Sequence, residues 1–128
     1  MFSHVTIGSN DIARSKKFYD ALLGTLGAKP ATPDAKGRLF YTHGGGVLLI
    51  TKPLDGKPAT GANGGTIGFT TASPEQTDRW HQAGVANGGT SVEDPPGVRQ
   101  GSGGPLYLAY LRDPDGNKLC GLHRMAAG

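Results

Sequence analysis

Shifted by 62 residues, the second half of this 128-residue chain lies on the first without a gap over one helix length. His4-Val5-Thr6-Ile7 falls on Thr66-Ile67-Gly68-Phe69, Asp11 on Ser73, Phe18 on Trp80, Ala21 on Ala83 and Gly27 on Gly89. A repeat of this length is one supersecondary unit, and such a unit is too small to bury its apolar face alone. Two copies sharing a core are therefore predicted.

Each unit opens with a short β-branched run, then a helix cap, then a helix with an aromatic near its middle, then a glycine stop. Ser73-Pro74-Glu75-Gln76 puts Ser at the N-cap, Pro at the first helical position and Gln at the third, a capping box. In the first unit Asn10-Asp11 offers a short acidic side chain to the free amides of the opening turn. Ile12, Phe18, Leu22, Leu23 and Leu26 form a helical stripe, and Trp80, Ala83 and Val85 a weaker one ending at Gly88-Gly89. Strands are predicted over 38–43 and 47–51 around Gly44-Gly45-Gly46, and over 105–112 and 118–123 around Asp113-Pro114-Asp115-Gly116-Asn117. A further short strand is expected near 28–33 and near 89–94.

Residues 1–52 then form the first half, 53–65 a linker and 66–124 the second half of one domain. The fold class is α+β: two β-α-β-β-β repeats forming a cupped, half-closed mixed barrel with helices outside. Its concave interior is the natural small-molecule site.

Composition narrows the function classes. The 22 glycines and 9 prolines approach a low-complexity content, but they sit at helix stops, hairpins and the linker. With 36% hydrophobic residues, 18% charged residues and a net charge of +3, the chain has the makings of a core. No cationic leader opens it and its longest aliphatic run is Val47 to Ile50, so neither a signal peptide nor a membrane span is expected. The lone Cys120 accords with a cytoplasmic protein without disulfides. The 13 lysines and arginines are dispersed; Arg14, Lys16 and Lys17 read as a solvated helix face, and no nucleic acid partner is expected.

The paired halves, the opening His4-Val5-Thr6-Ile7-Gly8 with Asn10-Asp11 and Phe18-Tyr19, and the late Arg112-Asp113-Pro114-Asp115-Gly116-Asn117 carry a resemblance. Together they resemble the glyoxalase/bleomycin-resistance/dioxygenase superfamily, also called vicinal oxygen chelate. The resemblance implies a homodimer and a divalent metal acting as Lewis acid or oxygen-activating centre. It puts the four metal-ligand places on His4, near Leu49, on Thr66 and on Cys120. Only His4 is a conventional ligand there; Cys120 stands where a Glu is usual, and Leu49 has no donor atom. A catalytic zinc site takes three protein ligands and a facial iron site two His and a carboxylate. A divalent metal is thus left open at His4, and no other cofactor is assigned.

Without a metal, His4 could move a proton or simply be hydrogen-bonded at a strand end. Cys120 is a nucleophile if an imidazole lowers its pKa, and otherwise a small buried core residue. His43 at the glycine hairpin could reach the cup mouth. Arg38 and Arg99, at comparable places in the halves, could hold an anionic substrate. Tyr107, with Tyr110, Tyr41 and Phe40, could stack on a planar ligand or pack in the core. Two readings follow: an enzyme of lyase, isomerase or dioxygenase kind, or a binding protein of bleomycin-resistance kind that sequesters a small molecule. A purely structural module would fill the cup with its own side chains.

Overall fold

A computed structural model describes residues 1–126. In chain order its elements are β1 (Val5–Gly8), α1 (Ile12–Gly24), β2 (Leu39–His43), β3 (Gly46–Thr51), β4 (Ile67–Thr70), α2 (Pro74–Ala86), β5 (Thr90–Ser91), β6 (Gly97–Gly101), β7 (Gly104–Arg112) and β8 (Lys118–Arg124). The 62-residue shift carries β1 onto β4 and α1 onto α2 with both ends coinciding.

The caps repeat too. The Asp11 side chain accepts from the Arg14 N–H, and Ser73 accepts from the N–H of Gln76, the repeat mate of Arg14. Behind each cap lies a buried hydroxyl pair, Ser9 and Ser15 at 2.5 Å and Thr71 and Thr77 at 2.6 Å. Each pair ties the end of a first strand to the second turn of its helix.

The strands form two sheets, ordered β1-β3-β2 and β4-β8-β7-β5, with β6 also on β7. β1 runs parallel to β3, and β4 parallel to β8; the hairpins β2-β3 and β7-β8 are antiparallel. The result is a mixed α+β fold whose cupped sheets do not close into a barrel.

The fourth-strand positions depart from the expectation. Around 28–33 no strand forms, because Pro30 and Pro33 lack the N–H a ladder needs. That segment is held instead by the Ala31 N–H donating to Asp20 Oδ1 at 3.1 Å, with Ala28 and Ala31 buried. In the second half the strand near 89–94 shortens to β5, and Asp94-Pro95-Pro96 separates it from β6. Both then line one edge of β7, where Thr90 pairs with Arg112 and Val98 with Tyr107.

One apolar cluster joins the halves, with Phe18, Tyr19, Leu22, Leu39 and Ile50 from the first and Trp80, Leu111 and Leu119 from the second. The helices meet closely at Gly84, the repeat mate of Leu22. A Cβ there would come within 2.5 Å of Leu111 Cδ2 and 3.1 Å of Leu22 Cδ1. Gly121 likewise leaves room for the Trp80 ring, 2.8 Å from where its Cβ would stand. A polar tie reinforces the contact: the Tyr19 hydroxyl donates to Asp113 Oδ2 at 2.5 Å in the β7-β8 turn. Among the described residues no helix is long and apolar enough to cross a membrane.

Candidate functional site

Each sheet is covered by a helix on one face only, and strand alternation sorts the sequence-predicted residues between faces. On the first sheet, Leu39, Tyr41, Leu48 and Ile50 are buried toward α1. Phe40 pairs with Leu49 and Thr42 with Val47, and Thr6 pairs with Leu49 in the parallel ladder; these residues share the uncovered face. Phe40 is 37% exposed there. His4 continues the alternation of Thr6 onto this face; it is exposed, with Nδ1 2.8 Å from the Ser3 hydroxyl. Arg38 lies at the other end of this face, its guanidinium 5.4 Å from the Phe40 ring centroid and its Nε donating to Asp34 Oδ2 at 2.8 Å.

On the second sheet, Leu111, Ala109, Leu119 and Gly121 face α2. Tyr110 pairs with Cys120, Leu108 with Leu122 and Arg99 with Leu106, so these six form the opposite, largely apolar face. Gly68 adjoins Cys120, and Thr66 continues its alternation onto the same face. Burial pushes the Cys120 thiol up, with the Tyr110 side chain acting in the opposite sense, and no imidazole is bonded to it. Lys118 lies 4.9 Å from the Tyr110 ring centroid and is ion-paired with Glu93. Arg99 is anchored by two backbone carbonyls, donating to Asp94 at 3.2 Å and Pro95 at 2.9 Å.

Tyr107 belongs to the other side. It pairs with Val98 and His123, and its hydroxyl donates to Asp78 Oδ1 of α2 at 2.7 Å. That bond is the chief reason its pKa is raised. The structure therefore places His4, Leu49 and Arg38 on one uncovered face and Thr66, Cys120 and Arg99 on another, with Tyr107 on neither. Among the described residues no three His, Cys, Asp or Glu side chains converge as a metal site would need.

A cavity of about 550 Å³ opens where the halves meet on the helix side of the first sheet. Val5, Leu23, Leu26, Leu48 and Phe69 are among its walls, and of the site candidates singled out in the sequence His43 and Tyr41 line it. His43 packs near Gly27, whose Cβ would stand 3.5 Å from the ring Cε1. The Tyr41 hydroxyl is turned away into a bond with Asp20 Oδ1 at 2.7 Å, and burial, then that carboxylate, push its pKa well up. Apart from His43 and Tyr41 the crevice leaves no signal in the sequence, since its other lining side chains carry the same periodicity as the core.

A family model described as the Glyoxalase/Bleomycin resistance protein/Dioxygenase superfamily matches residues 1–120. A crystal structure of a glyoxalase/bleomycin resistance protein from Albidiferax ferrireducens T118 is 60% identical, with a TM-score of 0.93 over 97% of this chain and 99% of that one. A glyoxalase-related enzyme from Fulvimarina pelagi is 19% identical with a TM-score of 0.73, covering 97% of this chain and 88% of its own. A lactoylglutathione lyase from Agrobacterium tumefaciens is 19% identical with a TM-score of 0.66, covering 96% and 92%. At these last two identities the likeness is one of fold. No curated protein matches the chain.

Proposed function

Because the chain belongs to the Glyoxalase/Bleomycin resistance protein/Dioxygenase superfamily, we propose that it is a cytoplasmic small-molecule-binding protein. It acts as a homodimer and holds its ligand between uncovered sheet faces rather than at a metal. The observation that carries this reading is the pair of apolar faces that no helix covers, Phe40, Val47 and Leu49 on one sheet and Leu106, Leu108, Tyr110 and Leu122 on the other. Their helix-facing sides already share one core, so a second copy of the chain is the natural cover for the remaining faces. A concave surface with apolar walls and a few polar groups at its border then suits a small organic ligand.

The residues at the family's ligand places do not fit a metal. Leu49 offers no donor, Thr66 a neutral hydroxyl and Cys120 a buried thiol whose pKa burial raises, which leaves the His4 imidazole. An enzymatic reading has one observation in its favour. His4 is exposed on the uncovered face, with its Nδ1 beside Ser3 and its Nε2 unbonded among the described residues, available to move a proton.

Two measurements test the proposal. Sedimentation at micromolar concentration should show a dimer that Phe40→Asp weakens, and a monomer would overturn it. Elemental analysis of protein purified without added metal should find well under one Zn, Mn, Fe or Ni per chain; a tightly held stoichiometric ion would restore the metal reading. Once a substrate is identified, loss of turnover in His4→Ala would establish the enzymatic alternative.

A further inference from the structure

The crevice between the halves opens on the helix side of the first sheet and meets the uncovered faces only at its rim, through Val47, Gly68 and Thr70. Its walls Val5, Tyr41 and Leu48 come from the helix-facing side of the first sheet, Leu23 from α1 and Leu26 from the turn that follows it. The opposite wall is β4, the outermost strand of the second sheet, through residues Ile67 to Phe69 and Thr70. The N–H of Thr71 donates to the Leu122 carbonyl of β8. In a parallel ladder alternate residues point both backbone groups to the same side, so Phe69 and Ile67 share the direction of Thr71, and Gly68 and Thr70 point theirs away from β8. Among the described residues no strand pairs with that edge. The crevice wall therefore carries a row of backbone donors and acceptors, next to apolar side chains and the His43 ring.

We propose that this crevice is a binding site for a small neutral molecule with a flat apolar body and an amide or ketone carbonyl. Its volume of about 550 Å³ lies within the range of small-molecule pockets. No Lys, Arg, Asp or Glu lines it, so a formally charged ligand would be desolvated without a counter-ion, whereas a neutral one meets no such cost. The apolar body lies against Leu23, Leu26 and Leu48, and the carbonyl or amide completes the hydrogen bonds of Gly68 and Thr70 as an added strand would. Gly68 suits this role because it has no side chain to screen its backbone.

The test uses acetanilide and propylbenzene, similar in shape but with and without an amide, titrated into the ¹⁵N-labelled full chain and followed by NMR. Acetanilide should shift the amide signals of Gly68 and Thr70 and the ring signals of His43, and propylbenzene should bind about ten-fold more weakly for want of those hydrogen bonds. Ala28→Leu and Val5→Phe, each filling the crevice from a different wall, should abolish the shifts; two variants guard against either one misfolding. Phe40→Ser, on the uncovered face, should leave them unchanged, which separates this site from the surface invoked for the dimer. Equal binding of the two probes, no shifts, or shifts on the uncovered faces instead would overturn the proposal. So would protection of the Gly68 and Thr70 amides that grows with protein concentration in the absence of probe, since a second copy would then occupy the edge.

Discussion

Cys120 shows how environment decides a residue's chemistry. It is buried, its registered neighbour is Tyr110, and burial raises its thiol pKa. Burial thus both shields the sulfur and, outweighing the opposing effect of Tyr110, lowers the thiolate available for attack, because only the deprotonated form is nucleophilic. In the folded protein its reaction with iodoacetamide at pH 8 should run at least about ten-fold slower than in the urea-unfolded chain, and its pH profile should lie above that of a free cysteine. Equal rates in the two states would reveal an accessible thiolate and return Cys120 to candidacy as a nucleophile. Residue type alone could not have settled this, since the raised pKa comes chiefly from burial, which exists only once β8 is packed between β4 and β7. For the same reason Arg38 and Arg99, alike in the sequence, are engaged differently, one by the Asp34 carboxylate and the other by backbone carbonyls.

At the scale of elements, the helix contact makes an unusual demand on Gly84. Ala normally stabilises a helix interior relative to Gly by about 1 kcal/mol. Here the added methyl would press on the buried ends of Leu111 and Leu22. Gly84→Ala should therefore destabilise the protein by about 1–3 kcal/mol in urea denaturation. Gly24→Ala, at the end of α1 where a Cβ meets nothing within 4 Å, should be neutral or stabilising. A stabilising Gly84→Ala would mean that the helices are not packed as closely as described. The helices themselves were legible because Ser73-Pro74 and Asp11 mark their starts and the repeat fixes their spacing. The hairpins were legible from Gly44-Gly45-Gly46 and Asp113-Pro114-Asp115-Gly116-Asn117. β6 was not, because Gly97 to Gly101 has little strand propensity and forms through pairing with β7. The missing strand near 28–33 could have been read from Pro30 and Pro33. The crevice could not, because Tyr41 and Leu48 have the alternation of ordinary core residues until β4 docks beside them.

For the whole molecule, the repeat raises the question of whether each half is a folding unit or only half of one. Phe18 and Leu22 of the first half reach Gly84 of the second, and Tyr19 is bonded to Asp113 across the same boundary. Neither helix has a complete set of apolar partners within its own half, so we expect residues 1–126 to unfold as a single cooperative domain. Trp80, the sole tryptophan, lies in the second half and is fully buried, which makes it a reporter on that half alone. Leu22→Ala removes a buried side chain from the first half and should cost about 2–5 kcal/mol, as core truncations of leucine do. If the core is shared, the Trp80 fluorescence transition should move to lower urea by the same amount as far-UV circular dichroism, and the two curves should remain superimposed. A Trp80 transition left in place while part of the circular dichroism signal shifts would show that the halves unfold independently. The repeat would then join two domains rather than build one.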